Sequence, residues 1–213
     1  VGSRMLNLWK KAVFLGFLFT CIVSMIDFSG KCDGVNDKIL RLHVLANSDS
    51  KEDQELKLKV RDRVLLYCSQ YMEDMTKRDI VKKIISDHKE DIKKEARDEI
   101  LKNGYNYDVD IEIADDVYFN TRNYNTVTIP AGNYEAVRVL IGEGKGKNWW
   151  CVMFPPMCLP AAEERSELKE VLNEGQMDLV ENEPQYEIKF KVWEVFINIK
   201  NFTINLFSEI KLK

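Results

Sequence analysis

The hydrophobic pattern of the chain changes its period near Gly104, and this change constrains the fold more than any other feature. Over residues 50–102 the apolar side chains recur at helical spacing. Over residues 105–113 apolar and polar residues alternate, which predicts a strand with one solvated face. Residues 39–46 and 134–141 predict further strands. The pattern therefore predicts a single α+β domain, with helices packed on one side of a largely antiparallel sheet.

The N-terminal residues predict an export segment. Lys10 and Lys11 precede a largely apolar run over residues 12–26, and residues 1–5 (VGSRM) are interpreted as start-site or expression residues. A short basic region followed by about 15 apolar residues is typical of an export signal. A spanning helix usually needs about 20. Because no clear cleavage site follows, a cleaved signal and a retained anchor are both open, and a buried core helix is a third alternative.

The patterns divide the chain into three parts. Residues 1–32 are assigned to the export signal or membrane anchor, and residues 33–192 to a globular α+β domain that begins with a polar linker at residues 33–38. Apolar residues alternate again over 186–192, which predicts a last strand. Residues 193–213 are predicted to form a C-terminal helical tail.

Charge and cysteine content argue against several classes of protein. The formal net charge is −4, so there is no basic footprint for nucleic acid. With two histidines and no second close cysteine pair, the sequence predicts neither a metal site nor a cofactor. Cys151 and Cys158 flank a short proline-containing segment, and outside the cytoplasm they could form a disulfide. Two free thiols are the alternative. Contact with a membrane is expected only through the N-terminal segment.

A histidine, serines and an aspartate crowd the stretch RLHVLANSDS over residues 41–50. An exported hydrolase using His43 with Ser48 or Cys151 is therefore one hypothesis. A nucleophilic serine usually occupies a strained G-x-S-x-G turn, which is missing here. Ser50 instead has the character of an N-cap for the following helix. We therefore favour a structural interpretation of this strand-to-helix junction.

Aromatic and proline residues crowd the stretch that follows the glycine-rich segment GEGKGKN. The candidates for partner binding are Trp149, Trp150, Phe154, Pro155 and Pro156. Tryptophan is over-represented among the residues that dominate binding energies. Adjacent residues of an extended segment point to opposite faces. One tryptophan is therefore expected to enter the core and the other to meet a partner.

Three sequence blocks resemble the stage II sporulation protein R family. They are RLHVLANSDSKEDQELKLKVRD at 41–62, PAGNYEAVR at 130–138 and GEGKGKNWWCVMFPPMC at 142–158. The resemblance extends over roughly residues 38–192. It implies a non-enzymatic signal that is made in the forespore and exported into the space between two membranes.

The resemblance also implies a partner. Such proteins trigger a membrane-embedded aspartic protease, stage II sporulation protein GA, which removes the pro-sequence of the sigma-E precursor. The strand and junction residues Arg41, His43, Asn47 and Asp49 then become further candidates for partner binding. In this interpretation the junction is architecture or a recognised surface, and the protein carries a signal between compartments.

Overall fold

The computed structural model describes residues 2–72, 75–124, 127–157, 168, 170–181, 189–199 and 201. The helices are α1 (Gly2–Asn36), α2 (Lys51–Ser69), α3 (Arg78–Asp87), α4 (Lys89–Lys102), α5 (Glu174–Val180) and α6 (residues 189–199). The strands are β1 (Leu40–Leu45), β2 (Val109–Phe119), β3 (Arg122–Tyr124), β4 (Val127–Ile129), β5 (Gly132–Ile141) and β6 (Asn148–Phe154).

The main sheet has four strands in the order β2-β5-β1-β6. β1 pairs in parallel with β5, whereas the β2–β5 and β1–β6 pairs are antiparallel. β3 and β4 form a separate antiparallel pair. The predicted α+β class with a mainly antiparallel sheet is confirmed.

The first face of the sheet is covered by α2, α3 and α4. Leu40, Leu42 and Val44 of β1 enter this apolar core, together with residues from every one of these helices. On α4 the buried residues Ile92 and Ile100 lie two turns apart on one side of the helix, as helical periodicity requires. We call this core, between the sheet and α2–α4, the first face.

The second face of the sheet also carries helices, so the prediction of helices on one side is incomplete. Alternate β1 residues Arg41 and His43 point away from the first face, as the two-residue period of a strand demands. The core on this side contains residues from the end of α1, from α5 and from α6. We call this the second face. Alternation in the strands alone could not show what covers it.

The predicted linker at 33–38 is wrong for most of its length, because α1 continues to Asn36. Phe28, Cys32 and Val35 follow helical spacing and are buried in the second face. The predicted boundary between residues 32 and 33 therefore falls inside a helix that belongs partly to the domain. Over Leu8–Asn36, α1 is long and apolar enough to cross a membrane by length and composition, which fits a signal or anchor segment.

The predicted strand over 186–192 is wrong from residue 189 onward, where α6 begins. Residues 182–188 lie outside the described part of the chain. Phe190, Trp193 and Ile197 are buried at helical spacing, whereas Val192 is exposed. A strand would have placed Phe190 and Val192 on the same side. The helical spacing of buried residues extends past residue 192 to Ile197, and this longer pattern fits the helix that the structure shows.

Candidate functional site

Two loops meet where β1 and β5 end and β6 begins. The first, residues 46–50, joins β1 to α2, and the second, residues 142–148, joins β5 to β6 and includes Asn148, the first residue of β6. Because β1 and β5 are parallel neighbours and β6 runs back beside β1, both loops emerge at the same edge of the sheet. We call residues 46–50 and 142–148 the loop pair. It unites two of the three motif blocks.

Backbone hydrogen bonds join the loops directly. The Lys145 amide donates to the Asn47 carbonyl at 3.2 Å, and the Gly146 amide donates to the Ala46 carbonyl at 2.9 Å. The chains are so close at Gly146 that an added Cβ would lie 2.1 Å from the Ser48 carbonyl oxygen. Only glycine fits at this position, since any side chain would push the two loops apart.

Side chains of the junction complete the connection. The Asn47 Oδ1 atom accepts from the Glu143 amide at 3.0 Å, and the Asp49 Oδ1 atom accepts from the Lys147 amide at 2.6 Å. Lys57 of α2 donates from Nζ to the Lys147 carbonyl at 2.8 Å. These predicted binding candidates, Asn47 and Asp49, therefore have a structural role in fixing the second loop. Asp49 is nevertheless exposed, so it is accessible to a partner.

Asp53 anchors the first loop to α2. Its Oδ2 atom accepts from Ser48 Oγ at 2.5 Å and from Asn47 Nδ2 at 2.9 Å. Burial alone raises the pKa of Asp53, but hydrogen bonds from Ser48, Asn47 and Tyr107 outweigh burial and lower the pKa overall. Ser50 Oγ accepts from the Asp53 amide at 3.1 Å, which confirms the predicted N-cap.

Neither pair of the hydrolase hypothesis is assembled. Ser48 Oγ donates to Asp53 rather than to His43. Cys151 pairs in register with Leu42 and lies in the first face, whereas His43 lies on the opposite side of the sheet. Cys151 is also disulfide-bonded and so is not a free nucleophile. Its predicted partner, Cys158, lies outside the described residues, and that pairing stays a prediction.

A buried cation occupies the centre of the second face. Arg41 is fully buried, with its Cζ atom 4.3 Å from the ring centroid of Phe119 and 5.1 Å from that of Tyr134. Within the part of the chain that the structure describes, none of its guanidinium nitrogens has a hydrogen-bond partner of standard geometry. Burial lowers the pKa of Arg41, although nearby Tyr124 and Tyr134 favour the charged form. Aromatic rings rather than a described carboxylate therefore stabilise this charge.

His43 extends the aromatic cluster towards β6. Its ring stacks on Trp150 with centroids 3.5 Å apart, and Trp150 meets the edge of Phe119 at 4.7 Å. Burial lowers the pKa of His43 to about 4, which nearby Asn148 opposes and Arg138 reinforces. His43 is therefore neutral at physiological pH. Because β1 lies between β5 and β6 and the ring of His43 stacks on Trp150, the side chain contributes to packing.

The two tryptophans occupy opposite faces, as predicted for adjacent strand residues. Trp150 belongs to the second face, whereas Trp149 packs against the first. The guanidinium carbon of Arg61 lies 4.3 Å from the ring centroid of Trp149. Both side chains are half-buried, so each touches a core and keeps an accessible edge.

The remaining aromatic and proline candidates lie mostly inside the molecule. Phe154 is 1% exposed and Pro155 is buried, whereas Pro156 is half-buried. A partner could reach the first two only if the domain opened. Local sequence pattern predicted neither the bonds of Asp53 to the first loop nor the contact of Arg61 with Trp149, although both residues lie in the first motif block.

No group of three or more metal-binding side chains converges within the described residues. What the loop pair presents is instead a fixed, charged surface. Exposed Glu143 and Lys145 form an ion pair with a 2.7 Å separation at its tip. The arrangement suits recognition by another macromolecule, since its backbone is fixed by the bonds between the loops.

Comparisons with known proteins agree with these motifs. Residues 36–164 match the family model for stage II sporulation protein R. The stage II sporulation protein R of Bacillus subtilis (strain 168) is 36% identical over 124 residues. This alignment covers 58% of the chain and 55% of the relative, so the chain spans about half the length of that relative. No solved structure matches the chain significantly. The matched residues include the loop pair, Arg41 and His43.

Proposed function

The chain belongs to the stage II sporulation protein R family, and from this premise we propose that it is an exported sporulation signal that activates a membrane-embedded protease. The protease is an aspartic protease of the stage II sporulation protein GA type, which processes the sigma-E precursor. The protein is made in the forespore and acts in the intermembrane space. It is secreted there or remains attached through α1, whose apolar exposed surface supports export or anchoring.

The loop pair is the observation that carries this proposal. Two motif blocks meet there in a bonded surface unit, while the serine–histidine and cysteine–histidine pairs are not assembled. A surface fixed in this way binds without first losing much conformational freedom, which favours affinity. Binding would activate the protease if the bound surface has a higher affinity for the active arrangement than for the inactive one.

The docking surface consists of the exposed parts of the loop pair and the accessible edge of Trp149. Trp149 follows directly after the second loop and is half-buried beside Arg61. Trp150 stacks on His43 and contacts Phe119, so most of its ring serves the second face although one edge stays accessible. Trp149 is therefore the tryptophan that faces the partner, and Trp150 is the tryptophan that supports the fold.

Co-expression of the chain with the candidate protease and its precursor substrate tests the proposal. The measurement is the ratio of processed to unprocessed precursor, together with the melting temperature of each variant. Trp149→Ala should reduce processing by one to three orders of magnitude, because hot-spot residues contribute about 2–4 kcal/mol to binding. Trp150→Ala should lower the melting temperature first. Leu66→Ala is the matched control, because Leu66 is an exposed apolar residue elsewhere on α2.

Three results would contradict the proposal. Processing that does not require this chain removes the activator role altogether. Full processing by a folded Trp149→Ala variant removes Trp149 from the docking surface. An equal loss of processing in Leu66→Ala shows that the effect of the tryptophan is not specific to the loop pair.

A further inference from the structure

Helix α6 has an apolar surface that the domain does not cover. The buried side is formed by Phe190, Trp193 and Ile197. Four more large apolar residues, each between 50% and 59% exposed, are Val192, Val195, Phe196 and Ile199. Their spacing of three, four and seven residues places all four in one stripe along the helix. We call this the α6 stripe.

Polar residues separate the two apolar sides of α6 along one flank, whereas on the other flank Phe196 stacks on Trp193 with ring centroids 5.5 Å apart. Lys191 and Asn198 are exposed, and Glu194 is half-buried between them on the helical surface. The helix therefore has a core-facing side, a polar side and the apolar α6 stripe. Helices that lie in a membrane interface likewise expose one apolar side to lipid and one polar side to water.

Helix α6 packs against the part of α1 that enters the domain. Phe28 of α1 meets Phe190 at 5.5 Å and Trp193 at 6.3 Å between ring centroids, in edge-to-face contacts. Two residues before Phe28, about 3 Å along the helix axis, Ile26 is already 67% exposed. From there towards the N-terminus α1 exposes further large apolar residues, among them Val23, Phe19, Phe17 and Phe14.

We propose that the α6 stripe lies in the lipid interface of the membrane that holds α1. The exposed apolar surface of α1 needs lipid if it is retained, and α6 is packed against the point where α1 leaves the domain. Burial of the stripe at the boundary between headgroups and acyl chains would remove its apolar area from water. The proposal depends on a retained α1 and is independent of protease activation.

Membrane contact through both helices would fix the orientation of the domain. A single helix permits the domain to rotate about its attachment, whereas a second contact restricts that rotation. The loop pair would then be presented at a defined angle to a partner in the facing membrane. Restricting orientation in this way lowers the entropy lost on binding.

Spin labelling of the full chain in phosphatidylcholine vesicles tests this placement. Cys21→Ser removes the exposed thiol, and Cys32 and Cys68 are buried. A nitroxide is then attached at Val195→Cys or Ile199→Cys in the stripe, and at Asn198→Cys as the neighbouring polar control. The measurement is the collision rate of each nitroxide with dissolved oxygen, which concentrates in lipid, and with a nickel chelate, which stays in water.

The stripe positions should show several-fold higher oxygen collision and several-fold lower nickel collision than Asn198→Cys. High nickel collision at all three positions would place the stripe in water and overturn the proposal. Low collision with both reagents at the stripe would indicate protein contact, either with a second copy or within the domain, and would also overturn it. The melting temperature of each labelled variant confirms folding, and no protease is present, so failure here leaves the proposed function untouched.

Discussion

The first face of the sheet is an apolar core, whereas the second face encloses a cation and a neutral histidine among aromatic rings. Strand β1 contributes Leu40, Leu42 and Val44 to the first face. To the second face it contributes Arg41 and His43. The same strand therefore serves two chemically different environments through its two-residue period. Apolar burial organises both sides, and the second side adds ring contacts with Arg41 and His43.

The faces also differ in how far apart their parts lie in the chain. The helices of the first face come from the continuous stretch 51–102, inside the region matched to the family. The second face is closed by Phe28, Phe190 and Trp193, which lie outside the matched residues 36–164. Arg41 and His43 therefore lie within the matched region, but the helices that bury their side of the sheet come from the two ends of the described chain, outside that region.

The largest expected effect is the loss of the cover of the second face. Trp193→Ala removes a buried ring, its contact with Phe28 and a 3.1 Å hydrogen bond from Nε1 to the Ala131 carbonyl. We expect the free energy of unfolding to fall by about 3–5 kcal/mol. Urea unfolding of the full chain in detergent micelles measures this value. Val195→Ala, on the exposed stripe, is the control and should cost far less, because Val195 is 59% exposed.

If Trp193→Ala lowered the free energy of unfolding only slightly, α6 would contribute little to the stability of the domain, and the second face would not depend on it. Ile100→Ala in the first face gives the reference for a fully buried core position. Comparable losses in the two variants would show that both faces belong to one cooperative unit.

The second expected effect is a pH dependence of stability that arises from His43 on the second face. Burial lowers the pKa of His43 to about 4 in the folded protein, below its ordinary value of about 6.5 in an unfolded chain. Between these values the unfolded state binds more protons. Stability is therefore complete above about pH 6.5 and falls as the pH is lowered towards 4, by about 2–3 kcal/mol.

Unfolding measured from pH 7 to pH 4.5 in the native chain and in His43→Gln isolates this contribution. Carboxyl groups also destabilise the protein in acid, so the relevant quantity is the difference between the two pH profiles. Parallel profiles would show that His43 is protonated in the folded protein at the same pH as in the unfolded chain.

Arg41→Met should have a smaller effect and the opposite sign. Burying a cation without a described carboxylate has a desolvation cost that its contacts with Phe119 and Tyr134 only partly offset. We expect the free energy of unfolding to stay equal or to rise by up to about 2 kcal/mol. Thermal unfolding measures it, with Leu42→Met on the first face as the control.

A marked loss of stability in Arg41→Met would show that the cation is better compensated than the described contacts indicate. A stable variant that no longer supports precursor processing would instead give Arg41 a role in recognition. This outcome would sharpen the contrast between the faces, because only the second would then serve signalling.

The smallest expected effect lies at the start of α2, on the first face. Ser50→Ala removes the acceptor for the Asp53 amide and should cost about 1 kcal/mol through lost capping. Precursor processing should fall no further than this loss of stability explains. A fully stable Ser50→Ala variant without processing would show that the partner reads the junction directly.

Local patterns predicted a good part of the molecule. Alternation and helical spacing gave the α+β class, the strand β1 and the N-cap at Ser50, because each depends on residues close together in the chain. The opposite placement of Trp149 and Trp150 followed from strand geometry alone. The strand predicted at 186–192 was wrong from residue 189 onward because a short apolar window fits both periods, and the linker at 33–38 was wrong as far as Asn36 because its polar residues belong to the end of α1.

The sequence by itself determined which residues of β1 would share a side and which motifs identify the family, since both are properties of neighbouring residues. Only the tertiary structure decided that Gly146 would meet Ser48, that Arg41 would lie over Phe119, and that α6 would pack on Phe28. These contacts join segments separated by long loops. Their free energy comes from burial, close packing and hydrogen bonding between segments, which no local pattern contains.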